Sequence, residues 1–309
     1  MESIRDTGVI AGAELRRTVK SARIIVLFAL YAMFSALVLL IVGSIAQSIN
    51  EAARKQIEAA GADTQMAEEA FRQARSGMLG FMFDSDPAML DALADVPLVI
   101  LIVFKITLFF LPAYVAIMGF DQISGEVGPK SIRFLVGRAS RSAVLFGKYL
   151  AQAAALVGLV LLVDLGIFIY AKASNPDFSL GLMFATLLKF WLAAIVFSLS
   201  YLALTTLCST LFRTPAVSLV FNFLALFGFW LLNFIGSFGV DREISAQGMP
   251  GPETITSPLA YIRFLSPSYY STNLLHPDLG QFAVSAVAYA GFAAVFLFGA
   301  YAVLRARDV

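Results

Sequence analysis

The stretch FDQISGEVGPKSIRFLVGRASRSAVLFGKY, residues 120–149, decides how the chain is read. It is short, charged and amphipathic, and it lies between two long apolar runs. A protein that crosses a bilayer places such a segment at the water boundary, because charged side chains are costly within hydrocarbon. A segment held there between two membrane-crossing rods is a place where a neighbour can push on them.

Working outward, the rest of the chain agrees with a membrane. Of 309 residues, 59% are apolar and 14% charged, about half the charged share of soluble domains, and the mean hydropathy is +0.82. A soluble core of this size does not need so much apolar surface, whereas a bundle that faces lipid does. The net charge of +1 argues against a nucleic-acid partner, which calls for a basic surface. One cysteine, Cys208, excludes an internal disulfide, and with one histidine, His276, no metal site is expected. The polar residues before the first apolar run, and the length of that run, do not fit a cleavable signal peptide.

A spanning helix needs about 20 mainly apolar residues. Six stretches qualify, roughly 24–46, 96–119, 144–171, 181–207, 215–237 and 282–304. The expected fold class is therefore an all-α integral membrane protein, with six transmembrane helices in a single domain over 1–309. Lysines and arginines orient the bundle. Arg16, Arg17, Lys20 and Arg23 precede span one. Lys130, Arg133, Arg138, Arg141 and Lys148 lie between spans two and three, Arg213 between four and five, and Arg305 and Arg307 in the tail. With six spans all these groups fall on one side, and the positive-inside rule makes that side, with both termini, cytoplasmic. The loop 51–95 holds nine acids and four bases and belongs outside.

Residues 1–20, with Leu15 beside Arg16 and Arg17, suit a helix lying in the membrane interface, or else a plain basic flank. Residues 47–95 are rich in helix formers. There Ile57, Met66, Ala70, Phe71, Ala74 and Met78 can share one apolar stripe, with Gly61 breaking the segment into a helical hairpin. This insertion either caps the bundle or meets an extracytoplasmic partner. Residues 238–281 carry Pro250, Pro252, Pro258, Pro267 and Pro277, yet 259–265 and Tyr269-Tyr270 are too apolar for a free loop. Short re-entrant or interfacial helices before span six satisfy both facts.

The opening stretch carries the most specific pattern. Asp121, Gly125, Glu126, Gly128 and Lys130 come first. Ser131 then opens an amphipathic turn with Ile132, Phe134 and Leu135 against Arg133 and Arg138, and Arg141 and Gly147-Lys148 lead into span three. Apolar side chains on a cytoplasmic loop need burial, either in a partner's groove with the arginines pairing to acids there, or against headgroups. The string 125–131 is not a phosphate loop: Gly must directly precede Lys-Ser/Thr, and Pro129 removes a backbone N–H. ATP binding is not expected on this chain.

The order Asp121-x-Ile123-x-Gly125-Glu126, then Gly128, Ser131 with its apolar pair, an arginine and Gly147-Lys148 resembles the type-2 ABC transporter permeases. It is most similar to the branch with the nitrous-oxide-reductase maturation and gliding-motility permeases. The run 263–270, RFLSPSYY, is similar to that family's motif before span six. The resemblance implies an interfacial N-terminal helix, a cytoplasmic coupling helix at about 131–140 and re-entrant helices before span six. It further implies two paired permease subunits, identical or homologous, above two separate ATPase subunits that hold ATP and Mg. The chain itself is then neither an enzyme nor a cofactor carrier, and its site is the bacterial inner membrane. Its work is export or mechanical signalling to an external partner. The 47–95 insertion is longer than in compact members and leaves the cargo open.

Within the spans, Lys105, Asp164 and Lys189 lie at a common depth, roughly 10–14 Å below the external surface at about 1.5 Å per residue. Buried charges pair or face water, so a Lys-Asp-Lys cluster is expected, either as an anion-attracting gate or as a structural pair with one lysine reaching out to the headgroups. Asn222 and Asn233, three turns apart in span five, share a face toward protein or water and are pathway candidates. Two other classes stay open. One is an ion-coupled secondary transporter or channel using those three charges as a relay. The other is a membrane scaffold recruiting a partner through 47–95.

Overall fold

The computed structural model describes residues 2–60, 86–174, 178–244 and 250–307, with Arg75, Gly77, Leu79, Gly80 and Phe83 between them. Six helices are long and apolar enough to cross a membrane, and the chain is a multi-pass membrane protein.

An amphipathic helix α1 (Glu2–Val19) comes first. Ser21 turns the chain: its hydroxyl donates to the Thr18 carbonyl at 2.7 Å and accepts from Ile24 N. Helix α2 (Ala22–Ala60) follows, with 39 residues. At about 1.5 Å per residue this is about twice the hydrocarbon thickness of about 30 Å, so the first span continues as helix into the segment expected to be a separate insertion. The stripe from Met66 to Met78, the Ile57 side chain and the break at Gly61 lie outside the described residues. Helix α3 (Pro87–Leu93) is started by Asp86, whose carboxylate accepts from Ala88 N, with Pro87 in its first turn.

The remaining elements are α4 (Leu98–Gly119), the short α5 (Ser124–Val127) and α6 (Ile132–Val136), α7 (Arg141–Ser174), α8 (Leu180–Leu211) and α9 (Pro215–Ser237). Then come β1 (Val240–Ile244) and β2 (Pro250–Ile255), three 3-10 turns, and α10 (Leu279–Ala306). Helix α8 is the hub and packs on α4, α7, α9 and α10. Its buried Ser198, Ser200, Thr205, Thr206 and Ser209 are small enough for close approach. A Cβ at Gly119 of α4 would sit 2.8 Å from Thr205 Cγ2.

The segment 238–281 departs from the all-α expectation. Strands β1 and β2 form an antiparallel pair, and the helices expected there are 3-10 turns at Pro258–Leu265, Pro267–Tyr270 and Thr272–Leu275. Prolines help explain the short elements: Pro258 and Pro267 sit in the first turns of theirs, and Pro267 and Pro277 stand just past the ends of the turns before them. Tyr289 of α10 donates its hydroxyl to the Pro267 carbonyl at 2.6 Å, which fixes the turns to the last span.

Candidate functional site

Between α4 and α7 the chain is fastened to three other elements. Ser209 Oγ of α8 accepts from both Ile123 N, at 2.9 Å, and Ser124 N, at 3.0 Å, satisfying N–H groups that a helix start leaves open. Gly128 passes so close to the turn after α8 that a Cβ there would lie 2.9 Å from the Arg213 carbonyl oxygen. Lys130, with φ 63, takes the left-handed conformation and reverses the chain between α5 and α6. Ser131 Oγ donates to the Glu126 carbonyl at 3.3 Å.

The apolar residues of α6 divide. Ile132 is fully buried in a cluster with Ile123, Val127, Leu145, Ala300 and Leu304. Leu135 is half-buried, and Phe134 is 80% exposed. Ile132 was expected to face outward with Phe134, but residues two apart on a helix do not share a face, and the apolar ends of α7 and α10 capture Ile132. The helix is also shorter than the expected 131–140, since it stops at Gly137. Arg133 and Arg138 are exposed, as is Lys130. Arg141 is not available in the same way. Its Nη1 donates to the Leu304 carbonyl at 3.2 Å and to the Arg305 carbonyl, placing a cation on the last turn of α10, where the helix dipole favours it.

The root of this loop is one buried ammonium. Lys148 of α7 is 4% exposed and donates to Glu14 Oε1 of α1 at 2.7 Å and to Glu126 Oε1 of α5 at 2.8 Å. Arg17 Nη1 stands 3.8 Å from the same Glu126 oxygen. Beside it, Gly147 lets α1 lie on α7: a Cβ would come within 2.8 Å of Ile10 Cγ2 and 3.1 Å of the Thr7 carbonyl oxygen. A cavity of about 270 Å³ opens here, with Glu14, Arg17, Asp121, Gly125, Glu126 and Lys148 among its walls. Glu14 and Ser209 were not singled out in the sequence. Glu14 carried a weak signal, being an acid in the turn before the basic Arg16 and Arg17. Ser209 carried none, since hydroxyls on apolar helices are common.

At the opposite end of the bundle, Arg263 pairs in bidentate fashion with Glu253, at 3.3 and 2.7 Å, and lies 4.9 Å from the centre of the Tyr269 ring. A cavity of about 500 Å³ there is walled in part by Asn233, Arg263, Thr272 and Asn273. Asn222 does not reach it. It is fully buried and donates to Thr205 Oγ1 at 2.8 Å, because 11 residues separate the two asparagines by about 16 Å along the axis. His276 accepts from Asp278 N through Nδ1, so its Nε2 carries the proton that it donates to Asp86 at 2.7 Å. That bond holds the Asp86 carboxyl below the usual carboxylate range.

Lys105, Asp164 and Lys189 are not brought together. No ion pair joins any two of them among the described residues. Lys105 donates to Thr272 Oγ1 at 3.2 Å and lies 4.8 Å from the centre of the Phe83 ring. Lys189 is half-buried on α8. Asp164 is buried on α7. Equal depth in sequence leaves the direction around each helix axis undetermined.

A family model described as "ABC-2 family transporter protein" matches residues 9–309. No curated protein matches the chain.

Proposed function

We propose a function from one premise: the chain belongs to the ABC-2 family of transporter proteins, matched over nearly its whole length. It is the membrane permease subunit of an ABC transporter, and ATP and Mg are handled by a separate ABC ATPase subunit. In our reading it sits nearest the nitrous-oxide-reductase maturation and gliding-motility branch, and α6 is the coupling helix that docks on the ATPase.

The observation that carries this reading is the division of α6, with Ile132 fully buried and Phe134 80% exposed. A large aromatic at the end of a bundle, ringed by Lys130, Arg133 and Arg138, is unused by its own fold. It suits a partner with an apolar groove and an acidic rim. The loop's fastenings then give the motion somewhere to go: to α8 through Ser209, to α10 through Arg141, and to α1 through Lys148. The basic residues gathered at this end make it cytoplasmic by the positive-inside rule, in the cell inner membrane. Helix α9 leaves Phe223, Phe227, Trp230 and Phe234 exposed, an apolar face for lipid or for a second permease copy. Export, or transmission of ATPase motion to an extracytoplasmic partner at 47–95, completes the reading.

The test is copurification with the ABC ATPase expressed alongside it. Phe134→Asp is expected to abolish copurification while leaving thermal unfolding within about 0.5 kcal/mol, as for other surface changes. Copurification at the wild-type level overturns the docking.

A further inference from the structure

At the end of the bundle opposite α6, the cavity of about 500 Å³ falls within the range of small-ligand clefts, about 300–1,000 Å³. On one side stand the last turns of α9, with Asn233 and Ser237, and on the other the 3-10 turns, with Arg263, Ser268, Thr272 and Asn273. The two sides touch: a Cβ at Gly236 would lie 3.1 Å from Arg263 N. Most polar groups of the wall are used within the protein. Arg263 pairs with both carboxylate oxygens of Glu253, and Ser268 Oγ lies 3.1 Å from Tyr201 Oη. Thr272 Oγ1 accepts from Lys105, and Ser237 donates to the Phe234 carbonyl at 2.7 Å. The side-chain amides of Asn233 and Asn273 differ. Both residues are half-buried, and neither amide has a hydrogen bond within the protein among the described residues.

The chemistry of the wall selects its occupant. Arg263 and Glu253 are the charged residues among the described ones that line it, and they cancel each other, so an ion finds no unbalanced charge there. Val240 is the one aliphatic side chain among them, whereas sites for apolar ligands are lined mainly by hydrophobic groups. Each unpaired amide presents an N–H donor beside a carbonyl acceptor, and a hydroxyl is likewise both donor and acceptor. Two neighbouring hydroxyls on a ring therefore match one amide. Tyr269 brings an aromatic ring to the same wall, the apolar complement to a sugar's C–H bonds. We propose that this cavity binds a neutral sugar ring, held by the side-chain amides of Asn233 and Asn273 between α9 and the third 3-10 turn. The site shares no residue with α6 and is independent of docking there.

The test uses the full chain in lipid nanodiscs, with empty nanodiscs as the blank, and saturation-transfer NMR of glucose, galactose, mannose and N-acetylglucosamine, each alone. Saturable transfer to at least one of them is expected. Asn233→Ala and Asn273→Ala are each expected to weaken its apparent affinity on the order of fivefold, the worth of a lost hydrogen bond. The thermal midpoint without sugar is expected to stay at the wild-type value in both, because the fold uses neither amide. Glucuronate and glucosamine, which carry a charge, are expected to give weaker transfer than the neutral sugars. No saturable transfer to any neutral sugar, transfer that both variants leave unchanged, or stronger transfer to a charged sugar overturns the site and leaves a cavity filled by solvent.

Discussion

Lys148 shows how much one side chain carries at the α6 end. Its ammonium, 4% exposed, is shared by Glu14 and Glu126, so removing it leaves two carboxylates facing each other in a half-closed space. Lys148→Met is expected to cost on the order of 3 kcal/mol in thermal or denaturant unfolding, as when one partner of a buried ion pair is deleted. Lys148→Arg keeps the charge and is expected to lose much less; equal losses would mean that charge is not what matters. A second residue-scale effect concerns pH. The hydrogen bond from His276 depresses the Asp86 carboxyl in the folded protein. A depressed carboxyl contributes stability that is complete above its unfolded value, about 3.9, and is lost as pH falls through the lower folded value. Hydrogen-exchange protection across 86–93 is therefore expected to fall on acidification through that window. In Asp86→Asn it is expected to be lower at neutral pH and nearly flat; an unchanged acid response in the variant would place its cause elsewhere.

Among the elements, α1 depends on a glycine it does not contain. Gly147→Ala places a methyl 2.8 Å from Ile10 Cγ2 and 2.9 Å from Ile10 Cβ. Because Cβ is fixed to the backbone, α1 itself must move. Cleavage by trypsin at Arg16 and Arg17 is expected to accelerate several-fold over wild type, and an unchanged rate would mean that α1 is held elsewhere. The elements also show what the sequence made legible. Spans of about 20 apolar residues announce themselves by length alone, and so did the charged loop between them. The pair β1 and β2 did not, because it sits in a proline-rich stretch with no alternating pattern to mark it. Within α6 the apolar residues were visible, but which of them face the bundle depends on where α7 and α10 stand. That information lies in Leu145, Ala300 and Leu304, far along the chain.

For the whole molecule, the two ends of the bundle have different characters. One end gathers the ties of Lys148, Ser209 and Arg141 around an outward Phe134, and the other gathers Arg263, Asn233 and Asn273 around an open cavity. That Lys105, Asp164 and Lys189 lie within apolar spans was legible, but their partners were not, since helix rotation is set by packing over the entire bundle. Family membership implies an ABC ATPase partner, and in the proposed function α6 is its point of contact. The direct test places a photo-crosslinking amino acid at position 134 in the assembled transporter. Crosslinks from 134 to the ATPase subunit, lost when Arg133 and Arg138 are both changed to Glu, are the result predicted. Crosslinks only to lipid, or to nothing, with the ATPase still bound, would contradict it.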